Sequence, residues 1–125
     1  MTDTVNDYIK KALNLAIKRH QQILSSGSQG LQSMYSSIVK QLEYLNDIVN
    51  GKETDRRKMW DLTFGMYAAK EFENSDEIFY DRLTSAFYIA EQIRNGLKVR
   101  LPHEVDKNYY DKQSRLAKLY PEDFN

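Results

Sequence analysis

Residues 54–72 constrain the fold more than any other stretch, because their apolar side chains recur at helical spacing along two sides. One row contains Met59, Leu62, Met66 and Ala69, and the other contains Trp60, Phe64 and Tyr67. A helix that is apolar on two sides must be covered on both. The pattern therefore predicts the central helix of a bundle, with Thr54 as its N-cap. Gly65 costs about 1 kcal/mol relative to alanine within a helix, and it indicates that a neighbouring backbone passes close by.

Two amphipathic helices are predicted before this stretch. The first covers about residues 4–25, with Asp3 or Thr2 as its cap, and the second follows a flexible connector at 25–30. Asn50-Gly51 ends the second helix as a left-handed C-cap. Its inward row is expected to contain Leu31, Met34, Ile38, Leu42, Leu45 and Val49.

A fourth helix is predicted at about 75–95, starting at Asn74 and closed by Asn95-Gly96. Residues 97–101 alternate between apolar and basic, which favours an extended strap over the bundle. The tail could form one short helix that Pro121 stops, with an apolar row of Val105, Tyr109, Leu116, Leu119 and Tyr120. The chain should be all-α: a compact bundle of four helices, or five with the tail, as a domain of residues 1–102 and a C-terminal extension of 103–125.

Composition limits the function. Eighteen basic residues balance eighteen acidic ones among 125 residues, which argues against broad nucleic-acid binding. There is no cysteine, and no apolar run approaches the ~20 residues that span a membrane. The N-terminal sequence does not resemble a secretory signal, so we expect a cytoplasmic protein.

No catalytic constellation is recognisable. His20 and His103 are far apart in sequence, and Ser-Gly-Ser-Gln-Gly at 26–30 lacks the lysine of a phosphate-binding loop. The sequence therefore predicts a protein that is not an enzyme and has no cofactor or metal. One enzymatic alternative stays open, a magnesium-dependent helical nucleotide hydrolase that would use Glu73, Glu77 and Asp81. Carboxylates four residues apart on a helix can share a magnesium ion, but these are predicted to lie opposite the apolar stripe.

The acidic segment itself is the best candidate for a binding surface. Between residues 71 and 81 there are five acidic residues and no basic one, and aromatic residues lie on the same outward face. Aromatic anchors with surrounding charges are typical of protein interfaces, although a plain solvated face would have the same composition. The predicted contact set is Glu73, Asp76, Glu77, Tyr80, Asp81 and Tyr88. A generic helical adaptor is a further alternative.

A series of short motifs resembles a known family. It includes Lys-Gln-Leu-Glu-Tyr-Leu at 40–45, Leu-Thr-Phe-Gly at 62–65, Ala-Lys-Glu-Phe at 69–72 and Gly-Leu-Lys-Val-Arg-Leu-Pro at 96–102. In this order they are similar to the small helical immunity proteins that neutralise type VI secretion toxins, and most closely to the immunity protein of the NAD(P)-glycohydrolase effector. The similarity covers most of residues 4–102. The connector at 25–30 and the tail look longer than in that family.

The resemblance implies function by occlusion. Such a protein binds the toxin domain of its cognate effector in the cytoplasm and blocks the access of NAD(P) to the toxin's active site. The expected partner is that protein, with no nucleic acid and no membrane, and self-association is left open.

Overall fold

The computed structural model describes residues 3–124, and within this range it contains α-helices and no β-strand. The α-helices are α1 (Val5–Ser26), α2 (Gln29–Val49), α3 (Phe64–Tyr67), α4 (Glu77–Arg94), α5 (Pro102–Val105) and α6 (Tyr109–Leu119). A 3-10 helix, Arg57–Asp61, precedes α3, and a π-helical turn, Ala68–Phe72, follows it. The expected all-α class is confirmed. Residues 97–101 are irregular, as the predicted strap requires.

The first two helices form a hairpin with a shorter connection than the sequence predicted. Thr4 caps α1, because its hydroxyl accepts from the amide of Asp7 at 3.2 Å while the Asp7 carboxylate accepts from the Thr4 amide at 2.8 Å. The predicted cap at Asp3 is therefore wrong, and Thr2 lies outside the described residues. Gly27 ends α1 with a φ of 78°, and α2 begins two residues later. The predicted six-residue connector is thus a tight turn.

The central helix is α4, not residues 54–72 as predicted. Ten of the 18 residues of α4 are buried, whereas α1 and α2 each bury five. The helix also starts later than expected: Asp76, not Asn74, is the N-cap, and its carboxylate accepts from the amide of Phe79 at 3.4 Å. Its buried residues lie on several sides, so neighbouring elements must cover most of its circumference.

Residues 54–72 do not form one continuous helix, because the side chain of Gln41 on α2 hydrogen-bonds to their backbone next to Leu62. Leu62 is extended (φ −68°, ψ 127°). The Gln41 side-chain oxygen accepts from the amides of Thr63 and Phe64 at 2.7 and 3.0 Å, and these are groups that a continuous helix would have bonded internally. Thr54 is not an N-cap, since the first helical turn after it begins at Arg57 with Arg56 as its N-cap.

The break also changes which side chains of this stretch are covered. Trp60 and Met66, both predicted to face inward, are 63% and 59% exposed. Gly65 is closely approached as expected, but by the ring of Phe87 rather than by a backbone: an added Cβ would lie 2.4 Å from that ring.

The tail forms a helix, as predicted, and this helix lies on α4. Tyr109 and Leu116 are buried, and the Gln113 side chain donates to Asp81 of α4 at 3.1 Å. Tyr120 of the predicted apolar row is partly buried and packs against the core, whereas Val105 and Leu119 are 47% and 55% exposed and do not face inward.

Candidate interaction surface

Asp76, a member of the predicted acidic face, has a carboxylate with an internal role. Besides capping α4, it binds the guanidinium of Arg19 on α1, at 2.8 Å from Nε and 3.3 Å from Nη2. The same guanidinium donates to Asp123 at 2.9 Å. Arg19 thus joins α1, the start of α4 and the end of the tail.

Asp123 is held by two cations, which stabilise its charged form. The hydrogen bond from Arg19, assisted by one from Lys18, lowers the pKa of Asp123 to about 2, although partial burial acts against this shift. The end of the tail is therefore fixed to α1 by two ion pairs, of which the one with Arg19 has little exposure to solvent and the one with Lys18 has more.

Asp81 is buried, which contradicts the expectation that it faces solvent. It is 6% exposed and accepts from Arg82 at 2.7 Å and from Gln113 of α6 at 3.1 Å. Arg82 is also buried and donates to Gln113 at 2.8 Å, with its guanidinium 5.2 Å from the centre of the Phe124 ring. The prediction failed because α6 covers the side of α4 that lies opposite its apolar stripe.

The remaining members of the predicted contact set reach the surface. Glu73 is exposed, whereas Glu77, Tyr80 and Tyr88 are partly exposed. The Glu77 carboxylate accepts from Arg115 of α6 at 2.6 Å. Residues 71–81 contain no basic residue, but the structure brings basic side chains of α1 and α6 next to them. Most of the negative charge of this segment is therefore compensated within the chain.

A second surface lies at the other end of α4, and the sequence pattern did not reveal it. Trp60 is exposed, and the guanidinium of Arg94 lies 5.1 Å from the centre of its ring and 6.0 Å from that of Phe87. An open cleft of about 400 Å³ is lined by Val5, Ile48, Val49, Arg56, Ile93, Gly96 and Leu97. The only tryptophan of the chain could have indicated a binding surface, but the helical pattern predicted that it lies in the core.

Comparison with known proteins decides the family. The model of the Tsi6 family matches residues 4–92 of this chain. The chain belongs to the Tsi6 family.

Relatives and solved structures agree with this family assignment. The immune protein Tsi6 of Pseudomonas aeruginosa is 32% identical over 96 residues, which cover 77% of this chain and 96% of the relative. The matched chain in the structure of Tse6 in complex with Tsi6 is 32% identical with a TM-score of 0.69, over 80% of this chain and all of the other. The structure of Tsi6 from Pseudomonas aeruginosa matches at 31% identity and a TM-score of 0.62, over 80% and 98%.

The expected resemblance to small helical immunity proteins is therefore confirmed, and this chain is an immunity protein of the Tsi6 family. The family match ends at residue 92, within α4. The strap, α5 and α6 lie beyond it, so the helix that covers Asp81 is outside the part that the family model describes.

The magnesium-hydrolase alternative is not favoured by the geometry of this Tsi6-family chain. Asp81 is engaged by Arg82 and Gln113, and no group of three acidic or histidine side chains within residues 3–124 is arranged to hold a metal ion. His103 stacks on Tyr8, and its Nδ1 lies 2.7 Å from the Tyr8 hydroxyl. In the described part of the chain, no helix combines the length and the apolar character needed to cross a membrane.

Proposed function

We propose that this Tsi6-family protein binds the toxin domain of one cognate type VI effector and neutralises it by covering the toxin's active site. The observation that carries the proposal is the match, at a TM-score of 0.69, to the whole of a chain in the structure of Tse6 in complex with Tsi6. A chain that has that fold and is 32% identical in sequence can present a related surface to a related partner.

We further propose that the toxin degrades NAD(P), and that the protein acts in the cytoplasm without a reaction of its own. The motifs at 69–72 and 96–102 support this step through their resemblance to the immunity protein of an NAD(P)-glycohydrolase effector. Occlusion needs only shape and affinity, and the engagement of Asp76 by Arg19 and of Asp81 by Arg82 supports a role without a reaction.

That the six residues of the predicted contact set touch the toxin stays a prediction. The cleft that binds an anionic dinucleotide is often basic, so an acidic plug would complement it. Glu73, Glu77, Tyr80 and Tyr88 are accessible to such a partner. Contact through Asp81 would require α6 to move away.

The experiment that tests the proposal is co-purification of the tagged chain with the toxin domain encoded beside it, followed by an NAD-consumption assay. A stable complex with suppressed NAD consumption supports the whole proposal. A stable complex whose toxin never consumes NAD would retain immunity and reject the glycohydrolase. Failure to form a complex would reject the immunity function for this partner and favour a generic adaptor.

A further inference from the structure

Trp60 is exposed, and a cation of this chain lies against its ring. The guanidinium of Arg94 is 5.1 Å from the centre of the Trp60 ring and 6.0 Å from that of the Phe87 ring. Cation–π contacts of this kind hold an aromatic ring in place. A ring that is already fixed loses little conformational entropy when a partner covers it, and tryptophan is enriched among the residues that dominate binding energy.

Arg94 has hydrogen-bonding capacity that the described chain does not use. Among residues 3–124 its only ion pair is with Glu91, whose carboxylate is 3.6 Å from Nη2, too long for a good hydrogen bond. A guanidinium prefers two parallel bonds to one carboxylate. The stacked Arg94 therefore suits an acceptor that arrives with a partner.

Exposed apolar and charged side chains lie near this pair in sequence. Leu97, which lines the cleft at the end of α4, is 60% exposed, and Ile93 and Val49 line the same cleft. Arg56 and Lys58 are exposed, and neither has a carboxylate within ion-pairing distance among residues 3–124. The exposed Asp61 is likewise without an ion pair there, and residues 55–61 contain three basic and two acidic residues, a small excess of positive charge. By contrast, Asp76, Glu77 and Asp81 of the acidic face are all paired with basic side chains of this chain.

From these contacts we propose that the Trp60 surface, defined as Trp60, Arg94, Arg56, Lys58 and Leu97, is the principal docking surface for the toxin domain. Its occupant is a segment of the toxin that presents a carboxylate to Arg94 beside an apolar side chain that covers Trp60 and enters the cleft. The proposal rests on the proposed function, because the toxin is the partner assigned there.

The Trp60 surface and the acidic face can be tested separately. Glu77 and Arg94 are the first and last residues of α4, which at 1.5 Å per residue places them about 25 Å apart. A standard interface buries about 800 Å² on each partner, so its energetic centre can lie at one end of α4 but not at both.

The test measures the affinity of the wild-type chain and of Trp60→Ala for the toxin domain encoded beside it. We expect Trp60→Ala to weaken binding about 30-fold or more, as loss of a central anchor does. Tyr110→Ala is the matched control, because Tyr110 is an equally exposed aromatic residue (61% against 63%) on α6. Glu73→Lys tests the acidic face. Binding that changes less than threefold in Trp60→Ala would overturn the proposal.

A second measurement does not depend on a substitution. Because the chain has one tryptophan, 5-fluorotryptophan labelling gives one ¹⁹F resonance, which reports on Trp60 alone. We expect this resonance to shift when unlabelled toxin domain is added and to lose its sensitivity to solvent. A toxin that binds while the resonance stays unchanged would refute the docking surface and leave the proposed function intact. A toxin that does not bind the wild-type chain would overturn the proposed function, and the docking surface with it.

The charge of the occupant is tested by Arg56→Glu with Lys58→Glu. If the partner segment is acidic, this double reversal should slow association at least tenfold at low salt, and the difference should shrink as salt is raised. Lys10→Glu with Lys118→Glu reverses two lysines that are also exposed but lie elsewhere, and it should have little effect. Faster association of the Arg56/Lys58 variant would contradict an acidic occupant.

Discussion

Single residues in this protein act mainly by joining elements that are far apart in sequence. Arg19 binds Asp76 and Asp123, and Gln41 satisfies the amides of Thr63 and Phe64. A local sequence pattern does not predict such hydrogen-bond partners, because they come close together only when the helices pack. The same limit explains Asp81: the sequence predicts its position opposite the apolar stripe and predicts a tail helix, but not that this helix packs over Asp81.

Asp123 provides a test at this scale. Its folded pKa of about 2 lies below the ordinary 3.8, so its ion pairs stabilise the fold fully above about pH 4, and this stability is lost as pH falls towards 2. Asp123→Asn should therefore lower the free energy of unfolding by about 2 kcal/mol at pH 7. In urea titrations, the difference from wild type should disappear near pH 2.

The control for this experiment is Asp55→Asn. The pKa of Asp55 is also lowered to about 2, chiefly by Arg57, but this pair is exposed to solvent, where ion pairs contribute little to stability. Its replacement should leave the unfolding midpoint almost unchanged. An Asp123→Asn deficit that persists undiminished at pH 2 would show that packing, not charge, holds the tail to α1.

At the scale of elements, the sequence predicts the long helices well and the short ones poorly. The periods of α1, α2 and α4 extend over many turns, and Gly27, Gly51 and Gly96 adopt positive φ where the chain turns. Residues 54–72 have an equally clear apolar pattern, yet they do not form one helix. There the side chain of Gln41 competes with helical bonding, so tertiary contact outweighs local propensity.

Gly65 tests how closely α3 approaches α4. A Cβ at this position would lie 2.4 Å from the Phe87 ring, so Gly65→Ala should cost about 1–3 kcal/mol despite the better helix propensity of alanine. Gly30, in the first turn of α2, has no atom within 4 Å of such a Cβ. Gly30→Ala should therefore be neutral or stabilise the protein by up to about 1 kcal/mol. Urea unfolding of both variants measures this contrast, and equal effects would contradict the close approach.

At the scale of the whole molecule, the tail packs on the helical bundle. We propose, as the sequence suggested, that residues 1–102 form the immunity domain and that 103–125 is an added extension. The end of the family match at residue 92 supports this division. However, the extension covers a polar side of α4 that includes Asp81 and Arg82. Its removal should therefore lower the free energy of unfolding.

Truncation after residue 102 tests this division. The shortened chain should keep the helical circular dichroism of α1, α2 and α4. Its free energy of unfolding should fall by about 3–6 kcal/mol, because the burial of Tyr109 and Leu116 is lost. Loss of cooperative unfolding would instead show that the tail is an integral part of the domain.

The most direct test of immunity by occlusion is to titrate the chain against the NAD-consuming activity of the toxin domain encoded beside it. We predict that activity falls in proportion to added chain and ends at one equivalent, with excess NAD unable to restore it once the complex has formed. Toxin that stays fully active when saturated with the chain would contradict the account, because a bound protein that leaves the active site open does not act by occlusion.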